Sequence, residues 1–177
     1  MIQKAASALI AWARQRAPDF VVGGVEQPYL LRWFLIPRNP VFNVYLHCFL
    51  RDDDDRALHD HPWPWCSILL SGGYIEHTIA AGGIHHRRER SAPSIKLSGP
   101  RRAHRIELFK IRDFVSSQPS NDTPLSCWTL FITGPRLRTW GFHCPERGWV
   151  DWREFTDPND KGLTGPGCGD QSAERQA

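Results

Sequence analysis

Apolar residues recur along this chain in two rhythms, and the change between them marks its main division. Near the start, Ile2, Ala6, Leu9 and Ala13 stand three or four positions apart, which puts them on one face of an α-helix. The spacing predicts a short amphipathic helix over about residues 3–16. Arg14 and Arg16 interrupt the apolar run too early for a signal peptide. Beyond a turn-rich connector at 18–28 the period falls to two. β-rich runs follow at 29–35, 41–50, 65–70, 74–79, 84–90, 94–97, 103–108, 127–133, 139–143 and 149–152, broken by Gly, Pro and Asn. Short strands at this rhythm predict an all-β fold, an antiparallel barrel or double-sheet sandwich, with the helix packed on it. Gly72-Gly73 and Gly82-Gly83 are natural hairpin turns. Residues 116–124 (SSQPSNDTP) read as a surface loop. From Thr156 glycine, proline and charge displace apolar residues. The expected organisation is one domain over 1–155 and a poorly ordered tail over 156–177.

Composition narrows the function classes. The 177 residues suit a single domain with a buried core, and a net charge of +3 is too small to argue for a nucleic-acid partner. The basic runs at 85–90 and 101–105 read as solvated strand faces, and Asp52 to Asp55 as a solvated turn without calcium-loop spacing. No apolar run is long enough to span a bilayer, so no membrane partner is expected. Five cysteines, at 48, 66, 127, 144 and 168, are odd in number, scattered and without a CxxC pair. That pattern predicts no disulfide framework and a cytoplasmic protein.

The candidate chemistry centres on His59, His61 and His104. On a strand His59 and His61 share a face while Asp60 takes the other. His104 follows in the run 103–108, and three neutral nitrogens with open positions make a reactive metal site. Glu107 has the wrong parity to join His104. His47, beside Tyr45 and Phe49, and His77, beside Ile75 and Ile79, are expected to be interior histidines outside the ligand set. His85, His86 and His143 are expected at the surface. Arg32 shares a face with Leu30 and Phe34, so its charge needs an anionic partner, either a substrate carboxylate or an internal Asp or Glu. Cys66 has three readings: a thiol shaping a substrate pocket, a small buried hydrophobe, or a fourth metal ligand.

The segment HDHPWPWCSILLSGG, from His59 to Gly73, resembles the cupin superfamily of small β-barrels. His59, His61 and Gly73 fall where the first cupin motif has them, Cys66 stands at that motif's glutamate position, and His104 is what remains of the second motif. Cysteine at the glutamate position is similar to the cysteine (thiol) dioxygenase branch. That likeness covers residues 59–78, Phe42 to Val44 and His104 to Glu107, with Arg32 at the spacing of the family's carboxylate-binding arginine. Phe131 and Ile132 fill the stretch where the animal enzymes carry a cross-linked tyrosine. The whole chain is also similar to small cupin-like proteins of bacteria and phages, in the pattern HDHPW…SGGYxEHT…HRIEL…WTLFITG. The resemblance implies a metal centre on His59, His61 and His104, substrate contacts from Arg32 and Cys66, and Fe(II), with zinc or nickel as alternatives. The implied activity is thiol-dioxygenase-like, using O2 on a small thiol carboxylate. The alternatives are a non-catalytic metal- or ligand-binding module, and a zinc or nickel isomerase or hydrolase. A homo-oligomer is left open.

Overall fold

The period-two runs become antiparallel ladders in the computed structural model, which describes residues 2–24, 26, 28–53, 57–111, 123–157, 159 and 165–168. Helix α1 (Ile2–Arg14) precedes β1 (Phe20–Val22), β2 (Leu30–Phe34), β3 (Asn43–Phe49), β4 (Leu58–His59), β5 (Trp65–Ser71) and β6 (Gly73–Ile79). Then come β7 (His85–Ser91), β8 (Ser94–Ser98), β9 (Arg105–Leu108), β10 (Lys110–Ile111) and β11 (Thr123–Pro124). The chain continues with β12 (Cys127–Thr133), β13 (Gly141–Cys144), β14 (Gly148–Asp151) and the single turn α2 (Trp152–Phe155). One sheet has the order β1-β2-β3-β12-β5-β8; β7-β6-β9 and β14-β13-β4 form two smaller sheets, and β10 pairs with β11. The fold is all-β with one N-terminal helix.

Strand alternation divides the apolar residues into two layers. Inside, Leu30, Phe49, Leu69 and Cys127 of the large sheet pack against Tyr74, Ile106 and Leu108 of β6 and β9. Outside, Ile10 and Ala13 of α1 cover Trp33, Leu46, Cys48 and Trp128, with the two indoles stacked at 5.5 Å. Each large side chain buried in this way contributes about 1.5–3 kcal/mol, which holds a helix too short to persist alone. At the β5–β6 hairpin, Gly72 takes a φ of +78°, and a Cβ on Gly73 would lie 2.3 Å from the Phe109 ring. Neither position has room for another residue.

Several expectations need correction. The connector at 18–28 contains β1, which pairs with β2 through Phe20↔Arg32 and Val22↔Leu30; Gly23 turns the chain with a φ of +91°. Asp52 and Asp53 are not simply solvated, because their carboxylates accept the Leu108 and Ile106 N–H groups at 2.7 Å each. They continue the edge of β9 with side-chain oxygens in place of backbone carbonyls. Asp54 and Asp55 lie outside the described residues, as does most of the loop at 116–124. The cysteines are not all unpaired: Cys144 and Cys168 form a disulfide with Cα atoms 5.4 Å apart. Their separation of 24 residues gives no framework signal, and the pair forms because the tail folds back. Gly165 and Gly167 donate to the Phe155 carbonyl at 3.0 and 3.1 Å, so this part of the expected tail packs on α2. Residues 160–164 and 169–177 lie outside the described residues.

Candidate metal centre

His59 and His104 face each other as an isolated antiparallel bridge, each N–H donating to the other's carbonyl at 2.9 Å. His61 follows two residues later, its N–H held by the Pro100 carbonyl at 3.1 Å. Asp60 between them points the other way and is fully buried. Its carboxylate accepts from Gly141 N–H at 2.9 Å and Trp149 Nε1–H at 3.0 Å, and meets Arg138 Nη1 at 2.6 Å. The β13–β14 sheet thereby fixes the orientation of Asp60, and alternation turns both flanking imidazoles inward. One ligand nitrogen from each of His59, His61 and His104 lies within 4.8 Å of the others, and among the described residues this is the one such cluster of three or more potential ligands.

Charge and hydrogen bonding prepare these rings for a cation. Burial pushes the His61 and His104 imidazoles well below their ordinary pKa, and the neighbouring histidines and Lys96 lower them further. Both rings are therefore neutral, with a lone pair free on one nitrogen. His104 Nδ1 lies 3.1 Å from the Glu76 carboxylate, which draws the proton to that nitrogen. Its Nε2 then presents a lone pair to the centre, 2.9 Å from His61 Nε2. A carboxylate behind a histidine in this way fixes its tautomer and strengthens it as a ligand. His59 has Asp53 behind it, with Oδ2 3.7 Å from Nδ1. Three imidazoles converging on one point fit a divalent metal of the Fe, Ni or Zn type better than calcium or magnesium, which favour oxygen donors.

Glu76 is itself 3 % exposed. Besides His104 it binds Lys96 Nζ, and Arg90 Nε donates to it at 2.8 Å. A buried carboxylate with two cationic partners and a histidine is fully compensated.

The histidines open into a cavity of about 300 Å³ walled by Trp63, Trp65, Phe131, Trp140 and Phe142. Arg32 lines the same cavity, half-buried, and its Nε donates to His47 Nε2 at 2.9 Å. Burial holds the His47 imidazole well below its ordinary pKa, and Arg32 lowers it further, so His47 is a neutral acceptor. Among the described residues no carboxylate pairs with Arg32. Its guanidinium lies over the Tyr45 ring at 4.9 Å.

Cys66 is placed elsewhere, which corrects its expected role. Trp65, Ser67 and Leu69 take the inward positions of β5, so Cys66 faces out between Leu97 of β8 and Ile132 of β12. It neither lines the cavity nor belongs to the histidine cluster. Burial raises the Cys66 thiol and pushes Cys48 and Cys127 up to about 12, and of the three Cys66 alone is partly exposed. A disulfide-exchange reagent added to folded protein should therefore modify Cys66 and spare Cys48 and Cys127, as peptide mass spectrometry would show. His77 is buried as expected, though not inside the barrel. It sits on the outer face of β6, with Nε2 2.8 Å from Glu107.

Sequence reading missed Glu76, Asp53 and the contact of His47 with Arg32. A period-two signal for Glu76 was available, since it shares a strand face with buried Tyr74. Lys96, inward-facing between outward Ile95 and Leu97 on β8, offered it a counter-charge.

No protein-family model matches the chain, and no curated protein matches it. Among solved structures, a cupin superfamily protein of Desulfitobacterium hafniense is similar with 10% identity, covering 60% of this chain and 77% of its own, at a TM-score of 0.42. A Klebsiella pneumoniae protein with a double-stranded β-helix domain is similar with 15% identity, covering 70% of this chain and 90% of its own, at 0.44. The Fe(II) form of HppE is similar with 11% identity, covering 67% of this chain and 57% of its own, at 0.46.

Proposed function

We propose that this protein is a metal-dependent oxidoreductase of the cupin type, using O2 on a small anionic substrate of the thiol carboxylate class with Fe(II) as its metal. The observation that carries this reading is a three-histidine cluster opening into an apolar cavity whose wall also holds Arg32, without a carboxylate partner among the described residues. His59, His61 and His104 would hold the metal, which supplies Lewis acidity and a redox-active centre for O2 chemistry. Three neutral ligands leave the cation's charge uncompensated, and that favours an anionic substrate over a neutral one.

The chain's own part is to bind, orient and exclude water. Arg32 spends Nε on His47, which fixes the plane of the guanidinium and leaves its terminal nitrogens for a carboxylate. Its charge reaches the centre, where it helps lower the His61 imidazole. The indole and phenyl walls keep bulk water from the reactants and strengthen each charge–charge contact inside. With Cys66 on the outer face, selection of the substrate falls to Arg32 and the shape of the cavity.

Metal analysis of protein purified without added metal, combined with O2 uptake on thiol carboxylates and their uncharged amides, tests the reading. The charge-assisted contact is worth about 1.5–3 kcal/mol, so Arg32→Ala should weaken binding of the acids roughly ten- to a hundredfold, and Arg32→Lys should recover part of the loss. Equal binding of acids and amides, or zinc as the sole metal with no O2 uptake, overturns it.

A further inference from the structure

A second histidine pair lies on the opposite face of the β7-β6-β9 sheet from the cavity. His77 Nδ1 is 2.9 Å from His85 Nε2, with ring centroids 5.1 Å apart. His77 Nε2 is 2.8 Å from Glu107 Oε2. The central site has the same elements: His61 and His104 nitrogens 2.9 Å apart, centroids at 5.2 Å, and a carboxylate 3.1 Å from the far nitrogen of His104. We infer that His77 and His85 form a second, weaker site for a divalent transition-metal ion, with Glu107 as the group that positions His77.

The chemistry follows from proton placement. Glu107 draws the His77 proton to Nε2, which leaves the Nδ1 lone pair facing His85. Without a metal, His85 Nε2–H donates to that lone pair. When a cation arrives, the His85 proton moves to its own Nδ1, and two lone pairs then face the ion. Metal–nitrogen bonds of about 2.0–2.1 Å put two ligand nitrogens roughly 2.9 Å apart at a right angle and about 3.3 Å apart in a tetrahedron. The separation is close to both values, but the rings meet head-on, so His85 has to swing aside until its lone pair meets the ion at an angle to that of His77. His77 is 4 % exposed, so its ring is held by its neighbours, whereas His85 is exposed and leaves the remaining coordination positions to water.

The surrounding charges do not forbid a cation. Register puts Arg87 and Arg105 beside His77, and Glu89 and Glu107 beside Ile75, on the same outer face. The two arginines and two glutamates cancel formally, and Arg87 lies 3.7 Å from Glu107 with more than half its side chain in solvent. Two protein ligands in place of three, and this balanced field, make the site weaker than the central one. Borderline ions that favour imidazole (Zn²⁺, Ni²⁺ or Cu²⁺) are the class it would take.

Equilibrium dialysis of the metal-free full chain against Zn²⁺, with bound metal counted by elemental analysis, tests the inference without any activity assay. The expected result is two ions for each chain, one tight and one weaker. His85→Gln, at an exposed position and still able to donate to His77 Nδ1, should lose only the weaker ion. Glu107→Gln should keep both but weaken the second roughly ten- to a hundredfold. His104→Ala should lose only the tight ion, so failure of the central site and failure of this one are separately readable. Uptake of a single ion by the wild-type chain, or a weaker ion that survives unchanged in both His85→Gln and Glu107→Gln, overturns the inference and leaves the pair as a histidine–histidine hydrogen bond.

Discussion

His104→Ala should abolish stoichiometric metal binding at the central site, and with it most of the response of the fold to a chelator. His104 is the ligand whose backbone bridge to His59 and carboxylate backing are both in place, so its nitrogen is fixed before any ion arrives. Changes behind a metal ligand cost about 10–100-fold in affinity, and removing the ligand itself should cost more. The thermal consequence can be sized. An ion present at a thousand times its dissociation constant stabilises the native state by about 4 kcal/mol, which for a chain of this length shifts Tm by roughly 8–16 °C. Wild-type protein loaded with metal should lose a shift of that order when EDTA is added, while His104→Ala combined with His85→Gln, which removes the weaker ion too, should melt at one temperature with or without chelator. Elemental analysis and a pair of melting curves check it. Retained full occupancy in His104→Ala would overturn the three-histidine assignment.

How far such a site can be read from sequence depends on whether its geometry is local. Parity along one strand is local, and it sufficed to turn His59 and His61 inward, set Asp60 opposite, and exclude Glu107 from the ligand set. The principal strands were legible for the same reason, since burial on one face writes itself as alternation. What escaped depends on pairing between distant segments. β1 and β4 are too short to show a period and exist because β2 and β13 offer them edges. Asp52 and Asp53 bind N–H groups more than fifty residues away in the sequence, and the Cys144–Cys168 bond forms only once the tail has folded onto α2. Cys66 shows the converse hazard. Its place in a motif suggested a pocket, whereas the alternation of Trp65, Ser67 and Leu69 already assigned it to the outer face. His77 is buried as expected, but its neighbours Ile75 and Ile79 lie on the outside of a sheet, so it does not line the barrel.

The second large effect is expected at Glu76. Glu76→Ala should destabilise the metal-free protein by about 3–5 kcal/mol, because Lys96 and Arg90 would be left in the interior without their anion. It should also weaken metal binding roughly ten- to a hundredfold, because the His104 ring loses the acceptor that holds its proton on Nδ1. These two consequences have different causes and can be separated. Glu76→Gln keeps an oxygen for His104 Nδ1–H while removing the charge, so it should lose more stability than metal affinity. Combining Glu76→Ala with Lys96→Met removes the stranded ammonium. The double variant should regain part of the stability in urea denaturation yet keep the weakened metal binding in a competition titration. If Glu76→Ala binds metal as tightly as wild type, the carboxylate serves the ion pairs alone, and His104 must be held by its backbone bridge to His59. If the double variant recovers metal affinity together with stability, the loss in Glu76→Ala came from a loosened fold and not from the tautomer of His104.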